Sequence, residues 1–343
     1  MLPAFQGIHI ALTNRIIMGA DEAGYGPNLG PLLIVATAWS IPKEMKTDDF
    51  TAALQPTFRM KPWSPGCDHI PLGDSKQLYQ PTSGIASLEA GLMAMLLQID
   101  APPTLICPAN LQILEQFVRW PRISQTNESK WEPSVPWYEQ LEQWPVPAVV
   151  PVAEVQRLAE LARTVLRSNS IQLLGVRAAI VSESLFNSSV AQSCSKGQLL
   201  SATTLQLVSS FCCDETRPVE VFCDRQGGRK NYLPVLLEAL PNEWFVETKH
   251  TSTRCSYRNT GTPSRDFHFT VGGDSFGPTA LASMLAKYLR ERFMQSFNAF
   301  WLQHLPDLRP TAGYPLDAKR FREEIEATAT ALQLPESVWW RCR

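Results

Sequence analysis

At 343 residues the chain is long enough for one large domain or two ordinary ones, with no difficulty in burying a core. With 44% hydrophobic and 19% charged residues it is an ordinary globular composition, and a net charge of -2 excludes a whole-molecule attraction to nucleic acid or an anionic membrane, so any polyanion contact has to come from a local patch. The eight cysteines are scattered without a C-x-x-C pair, which argues against a zinc site or a disulfide frame and predicts reduced thiols in a cytoplasm.

No basic stretch followed by an apolar run and a small-residue cleavage site opens the chain, so a secretory signal is not expected. The first predicted element is a strand over 15–22, and it ends on two adjacent acids, Asp21 and Glu22. A link containing Gly24, Gly26, Pro27, Gly30 and Pro31 leads into a second, buried-type strand over 32–39. The run 23–42 is free of charge for 20 residues, yet those glycines and prolines leave only half of it helix-compatible, too short to span a bilayer. A second loop, 71–78, places Asp74, Ser75 and Lys76 together, and a helix is predicted over 84–98. The segment 101–151 is dense in proline and tryptophan and reads as an ordered, loop-rich insertion. Helical pattern is predicted over 155–185 and again around 199–211. Val219, Val221 and Cys223 alternate as a strand that delivers Asp224 at its C-terminal end. Basic residues follow it: Arg225, Arg229, Lys230, Lys249, His250, Arg254 and Arg258. The last clear element is a helix beginning at Gly277 and Pro278. Its apolar stripe runs through Leu281, Met284, Leu285, Tyr288, Leu289, Phe293 and Phe297, with Lys287 and Glu291 on one flank.

Asp21, Glu22, Asp224 and Glu291 thus come from three elements, each at a strand end or a helix flank. Clustered carboxylates repel one another unless a cation neutralises them. Oxygen ligands without His or Cys suit Mg²⁺ or Mn²⁺ rather than zinc. Two such ions about 4 Å apart can serve the attacking water and the leaving oxygen of a phosphodiester displacement. Taken singly, each acid has a plainer role: a solvated loop for Asp21 and Glu22, a turn former for Asp224, and an i, i+4 partner of Lys287 for Glu291. Asp274 competes with Glu291 as the fourth acid, although its place just before the helix suits a capping or turn role better.

Four ordered blocks carry a resemblance: GADEAGYGP (19–27), GDSKQL (73–78), VFCDRQGG (221–228) and GGDSFGPTALASMLAKYLRE (272–291). Their order and content resemble the type 2 ribonucleases H, the ribonuclease HII/HIII family. The chain departs from the family pattern at Tyr25, where a basic residue is usual, and at Glu291, where Asp is usual. More weakly, 170–180 is similar to a helix the family carries before its third acid, and 313–315 to a C-terminal Gly-Tyr block.

The resemblance implies an α/β, RNase H-like fold: a mixed central sheet of about five strands flanked by helices. That domain would span 12–305, with insertions near 41–72 and 101–151 and a C-terminal extension over 306–343 packing on it. It implies cleavage, dependent on Mg²⁺ or Mn²⁺, of RNA in RNA/DNA hybrids or at ribonucleotides embedded in DNA. Apart from the resemblance, the charge balance and the interrupted apolar run predict no membrane partner, and a monomer is expected. Asp21, Glu22, Asp224 and Glu291 would hold the metals. Gly24, Tyr25, Gly26, Ser75, Lys76 and Lys287 would meet the substrate, the glycines by bringing backbone close to the ribose 2′-hydroxyl and the two lysines by contacting phosphate, unless they instead hold a carboxylate in place. In place of a fixed cation, Tyr25 offers a flat face and one hydroxyl. Two alternatives stand beside this: a nucleic-acid-binding protein that keeps the fold with little turnover, and an RNase H-fold nuclease of other specificity, such as one acting on DNA junctions.

Overall fold

In the computed structural model, residues 14–79, 84–99, 135–139, 145–192, 195–212, 215–226, 228–273 and 276–342 are described. Its centre is a mixed sheet of seven strands: β1 (Asn14–Ala23), β2 (Leu32–Pro42), β5 (Gln172–Val181), β6 (Val219–Asp224), β7 (Phe245–His250), β8 (Arg254–Asn259) and β9 (Arg265–Thr270). Their order is β5-β2-β1-β6-β9-β8-β7. β1 runs antiparallel to β2 but parallel to β6, and β6 is parallel to β9. The expected five strands are therefore present as β5-β2-β1-β6-β9, and the β7–β8 pair lengthens that sheet along its β9 edge.

Both faces of the sheet are covered. Ile17, Leu33 and Val35 face a core built with α3 (Ala86–Leu96), α4 (Val152–Ser168), α8 (Gly277–His304) and α9 (Pro315–Ala331). Ile16, Met18, Leu32 and Ile34 face a second core with α5 (Glu183–Ala191), α6 (Lys196–Cys212) and α7 (Leu233–Ala239). Each such side chain taken fully from water contributes about 1.5–3 kcal/mol, so β1 and β2 are stabilised from two sides. That is why β2 reads as an unbroken apolar run rather than an alternation. Two short helices, α1 (Asp49–Leu54) and α2 (Ser75–Leu78), flank a small parallel pair, β3 (Phe58–Arg59) with β4 (Ile70–Pro71).

One predicted element is corrected. The helical pattern expected over 155–185 is interrupted: α4 ends at Ser168, Ser170 takes a positive φ of 54°, and 172–181 is the edge strand β5. Leu173, Val176, Ala178 and Ile180 enter the first core while Ala179 and Val181 enter the second. Burial on both faces erases the two-residue period by which a strand is recognised. The segment 170–180, weakly similar to a family helix, is accordingly a strand paired with β2. The other predicted strands and helices are present, α8 with its whole predicted stripe buried.

Most of the proline-rich segment, 100–134 and 140–144, lies outside the described residues, including Trp120, Trp131 and Trp144. Trp137 is buried, stacked on Trp301 with ring centroids 6.2 Å apart. The return of that segment to the body is held by Glu89 of α3. Its buried carboxylate accepts hydrogen bonds from the backbone N–H groups of Ala148, Val149 and Val150 at 2.6–2.8 Å and from Tyr288 Oη at 2.8 Å. At the other end of the chain, α9 packs Phe321 on Phe297, with centroids 5.6 Å apart. Among the described residues, no helix is long and apolar enough to cross a membrane.

Candidate active site

The parallel pairing of β1 with β6 reaches Ala20 opposite Cys223, so the next residues along each strand are Asp21 and Asp224. Side chains alternate along a strand. Gly19 and Asp21 therefore share the face of β1 that α8 covers, and Phe222 and Asp224 the same face of β6. Glu22 lies on the opposite face, at the strand's end. Asp21 is buried, and its Oδ1 accepts the N–H of Glu22 at 2.8 Å. Asp224 Oδ1 accepts the N–H of Gly273 at 3.0 Å, in the approach to α8.

The three carboxyl groups sense one another. Burial, then Asp21 and Asp224, push Glu22 from its ordinary 4.5 up to about 8, and Lys76 opposes the rise. The buried Cys223 thiol is pushed upward by its burial and by the same three acids. Lys76, predicted beside the substrate, thus lies near Glu22. Its neighbour Ser75 is buried, with its hydroxyl 3.0 Å from that of Ser283, which ties α2 to α8; Asp74 caps α2 by accepting the Lys76 N–H at 2.8 Å.

Glu291 is placed differently. One carboxylate oxygen accepts from Tyr79 Oη at 2.8 Å and the other from Lys287 Nζ, which lies 4.2 Å above the Tyr79 ring. Tyr79 is pushed well above its ordinary value by burial and by Glu291. Asp21, Glu22 and Asp224 are brought together, whereas Glu291 stands in its own contacts. Among the described residues, no three His, Cys, Asp or Glu side chains already form a metal-ligand set. Asp274 lies outside the described residues. Of the basic run, Arg254 pairs across β8–β9 with Thr270, the residue opposite Asp224, so it belongs to the acidic end of the sheet. Arg258 is engaged with Asp266 at 2.7 Å at the other end.

The glycine link is clamped from beneath. Gly24 takes a φ of +87°, and a Cβ there would lie 2.6 Å from the Pro31 carbonyl oxygen and 2.8 Å from Arg290 Nη1. Arg290 is buried and donates to the carbonyls of Pro31 at 2.8 Å, Leu29 at 3.2 Å and Ala312 at 3.1 Å. The loop's outer side differs: a Cβ on Gly26 would meet nothing within 4 Å. Of the two expected approach points, Gly24 is held by packing and Gly26 is open.

A second clamp went unnoticed in the sequence. Arg341 is 1% exposed and donates to the carbonyls of Gly24, at 2.7 Å, and Pro27. Its backbone N–H donates to the Asn28 carbonyl at 2.8 Å, and its carbonyl accepts from Asn28 Nδ2 at 3.1 Å. Burial, reinforced by Arg290, pulls Arg341 down to about 9, and burial pushes nearby Glu183 up to about 7. An arginine next to two tryptophans near the chain's end gives no sign of burial in the sequence alone. Arg341→Met would leave two loop carbonyls without donors, costing about 2–3 kcal/mol. Thermal unfolding should show the loss, and proteolysis should cut 24–31 faster than in the wild type.

A pH dependence follows from Glu22. The folded carboxyl keeps its proton to about 8, whereas an unfolded one releases it near 4.5, so the folded chain binds more protons between those values. Stability then falls as pH rises through that window. In chelator the melting temperature should drop between pH 5 and 8. Saturating Mg²⁺ or Mn²⁺ should remove the drop, because the cation replaces the proton as the compensating charge. Scanning fluorimetry would show this, and a flat profile in chelator would count against the cluster.

No family model matches the chain, and no curated protein matches it. Among solved structures, it is similar to a chain of the PCNA:RNase HII complex from Archaeoglobus fulgidus, with 14% identity and a TM-score of 0.40 over 96% of this chain and 94% of that one. It is also similar to ribonuclease H2 from Pyrococcus horikoshii OT3, with 12% identity and a TM-score of 0.41 over 94% of this chain and 92% of that one. Against Bst-RNase HIII in complex with Mn²⁺ the identity is 10% and the TM-score 0.38, over 95% of this chain and 66% of that one. These neighbours bear the names of the ribonuclease HII/HIII family, whose ordered blocks the sequence resembles.

Proposed function

We propose that the chain is a divalent-cation-dependent endonuclease of the type 2 ribonuclease H kind, hydrolysing RNA phosphodiesters in RNA/DNA hybrids or at ribonucleotides embedded in DNA. The observation that carries this reading is the convergence of Asp21, Glu22 and Asp224 at the ends of two parallel strands, where burial and then the two neighbouring acids push Glu22 up to about 8. An all-oxygen, mutually repelling donor set fits Mg²⁺ or Mn²⁺. Asp21, Glu22 and Asp224 would hold the ions, with Glu291 of α8 as the fourth acid of the set, and the charge of those ions would stabilise the attacking and leaving oxygens of the phosphodiester.

The remaining contributions come from the chain itself. The N–H groups of Glu22 and Gly273 orient Asp21 and Asp224. Lys76 offsets negative charge at Glu22, and Lys287 with Tyr79 positions Glu291. The open backbone at Gly26, supported from below by Arg290 and Arg341, is where a ribose could come within hydrogen-bonding distance of the main chain. The test is incubation with three duplexes: DNA carrying one ribonucleotide, an RNA/DNA hybrid, and plain DNA, each with Mg²⁺, Mn²⁺ or chelator. Cleavage restricted to ribonucleotide-containing strands, dependent on the ion and leaving a 3′-hydroxyl and a 5′-phosphate, is the expected result. Cleavage of plain DNA alone would move the specificity elsewhere, and no cleavage would remove the nuclease reading.

A second reading, a nucleic-acid-binding protein with little turnover, is favoured by one observation: Glu291 is already compensated by Lys287 and Tyr79. Calorimetric titration with Mn²⁺ separates the two. An enzyme should bind the ion, and Glu291→Gln should weaken binding less than Asp21→Asn, because an outer ligand is partly replaced by water. A binder should take up no ion.

A further inference from the structure

Beside Glu22, on the face turned away from α8, lies a group of side chains that the chemistry above leaves unused. Tyr25 is half-buried against the second core, and Nζ of Lys196 lies 4.2 Å from its ring centroid. Gly197 sits between Tyr25 and Arg229: a Cβ there would be 3.8 Å from the Tyr25 hydroxyl and 3.9 Å from Arg229 Nη2. Arg229 is held in place by donating to Gln198 Oε1 at 3.2 Å, while its own carbonyl accepts Arg225 Nε at 2.9 Å. The Tyr25 hydroxyl is raised by burial and by Glu22 and lowered by Arg229, so an acid and a base both act on it.

These placements answer a problem that the acidic centre poses. A carboxylate cluster on a chain of net charge -2 repels a polyanion, so fixed cations must stand close beside the acids if a phosphate backbone is to lie across them. In the glycine block the residue between Gly24 and Gly26 is uncharged. An aromatic face draws an ammonium group to it and narrows the positions that a flexible lysine samples. Tyr25 thereby returns a cation to the loop through Lys196, which comes from a different element.

We propose that Lys196 and Arg229, gathered around Tyr25, form a subsite for a backbone phosphate of the bound nucleic acid next to the Asp21–Glu22–Asp224 centre. This rests on the nuclease reading, and it gives Tyr25 a specific role, as the seat of the lysine rather than a platform for a base.

The test is fluorescence anisotropy of a labelled DNA duplex carrying one ribonucleotide, between about 50 and 200 mM salt, with Ca²⁺ in place of Mg²⁺. Each phosphate neutralised adds roughly 0.9 to the slope of log affinity against log salt. Lys196→Gln and Arg229→Gln should each flatten the slope by about that amount, so that each variant loses roughly three- to fourfold less affinity than the wild type over this range. Lys196→Arg and Tyr25→Phe should keep the wild-type slope. Tyr25→Ala should flatten it as Lys196→Gln does, and the double variant should flatten it no further. Circular dichroism checks that each variant is folded, and Lys196→Arg keeps the question open to test if Lys196→Gln is not.

If the wild type binds and cleaves while Lys196→Gln and Arg229→Gln keep its slope, the subsite is wrong and the nuclease reading stands. If Tyr25→Ala binds weakly with an unchanged slope, the ring touches the nucleic acid itself and the seating of Lys196 is wrong. If the wild type binds no duplex and cleaves none, both readings fall together.

Discussion

Asp21→Asn and Asp224→Asn are each expected to abolish ion-dependent cleavage and, in chelator, to raise the melting temperature by a few degrees. The two effects have one cause. Asp21 and Asp224 both act to raise Glu22, so three carboxyl groups share a space that disfavours their joint ionisation. An amide has nearly the shape of the carboxylate and keeps an acceptor oxygen for the Glu22 or Gly273 N–H, so local geometry survives. What disappears is a negative charge. Without ion that loss relieves repulsion and returns Glu22 toward its ordinary value, which also flattens the fall of stability between pH 5 and 8. With ion it removes a ligand charge, costing several kcal/mol of transition-state stabilisation, on the order of a hundredfold to a thousandfold in rate. A gel assay in Mg²⁺ and in Mn²⁺, paired with calorimetry in chelator, measures both. A variant within tenfold of wild-type rate would sink the assignment of that acid, and a lower melting temperature in chelator would show that the carboxylates do not repel in the folded chain.

How much of this was legible depended on whether a residue's setting is local in sequence. Asp21, Glu22 and Asp224 end strands whose apolar character is written in adjacent residues, so the sequence marks each as a strand-end acid, while their meeting at one edge needed the resemblance and then the β1–β6 pairing. The α8 stripe is legible for the same reason. β5 was not, because a strand buried on both faces has no two-residue period, and its apolar run follows a helix closely enough to be read as more helix. The clamps were hidden by chemistry: Arg290 and Arg341 look like surface residues until backbone carbonyls from distant loops are placed around them. Tyr25 could be marked as a departure from the family block, but the lysine resting on it belongs to another element, and only the fold brings the two together. Ser75 was expected in an open loop and is buried against Ser283, a pairing between α2 and α8 that no local pattern contains.

Gly19→Ala is expected to be the most damaging single substitution in the first block, although Gly19 carries no chemistry. A Cβ at Gly19 would stand 2.1 Å from the carbonyl carbon of Pro278, 2.2 Å from the nitrogen of Thr279 and 2.5 Å from the Pro278 oxygen. All three are backbone atoms in the first turn of α8, so no rotamer change relieves the clash. The same turn is held from the neighbouring strand, where Thr37, opposite Gly19, donates its hydroxyl to the Pro278 carbonyl at 2.9 Å. Making room means lifting the start of a largely buried 28-residue helix off the sheet. It also disturbs the approach that orients Asp224 through Gly273. Overpacking of this kind costs about 3 kcal/mol or more. That corresponds to a fall in melting temperature of roughly 5–10 °C. Gly26→Ala is the matched control: it meets nothing within 4 Å, so its stability should change by less than about 0.5 kcal/mol. Its cleavage of a ribonucleotide-containing duplex should nevertheless fall, because the added methyl stands where a ribose would approach. Thermal unfolding in chelator with a cleavage assay on the same samples separates the two glycines. Equal melting temperatures for Gly19→Ala and the wild type would mean that α8 does not rest on β1 at this point, and the contact between Gly19 and the first turn of α8 would have to be redrawn.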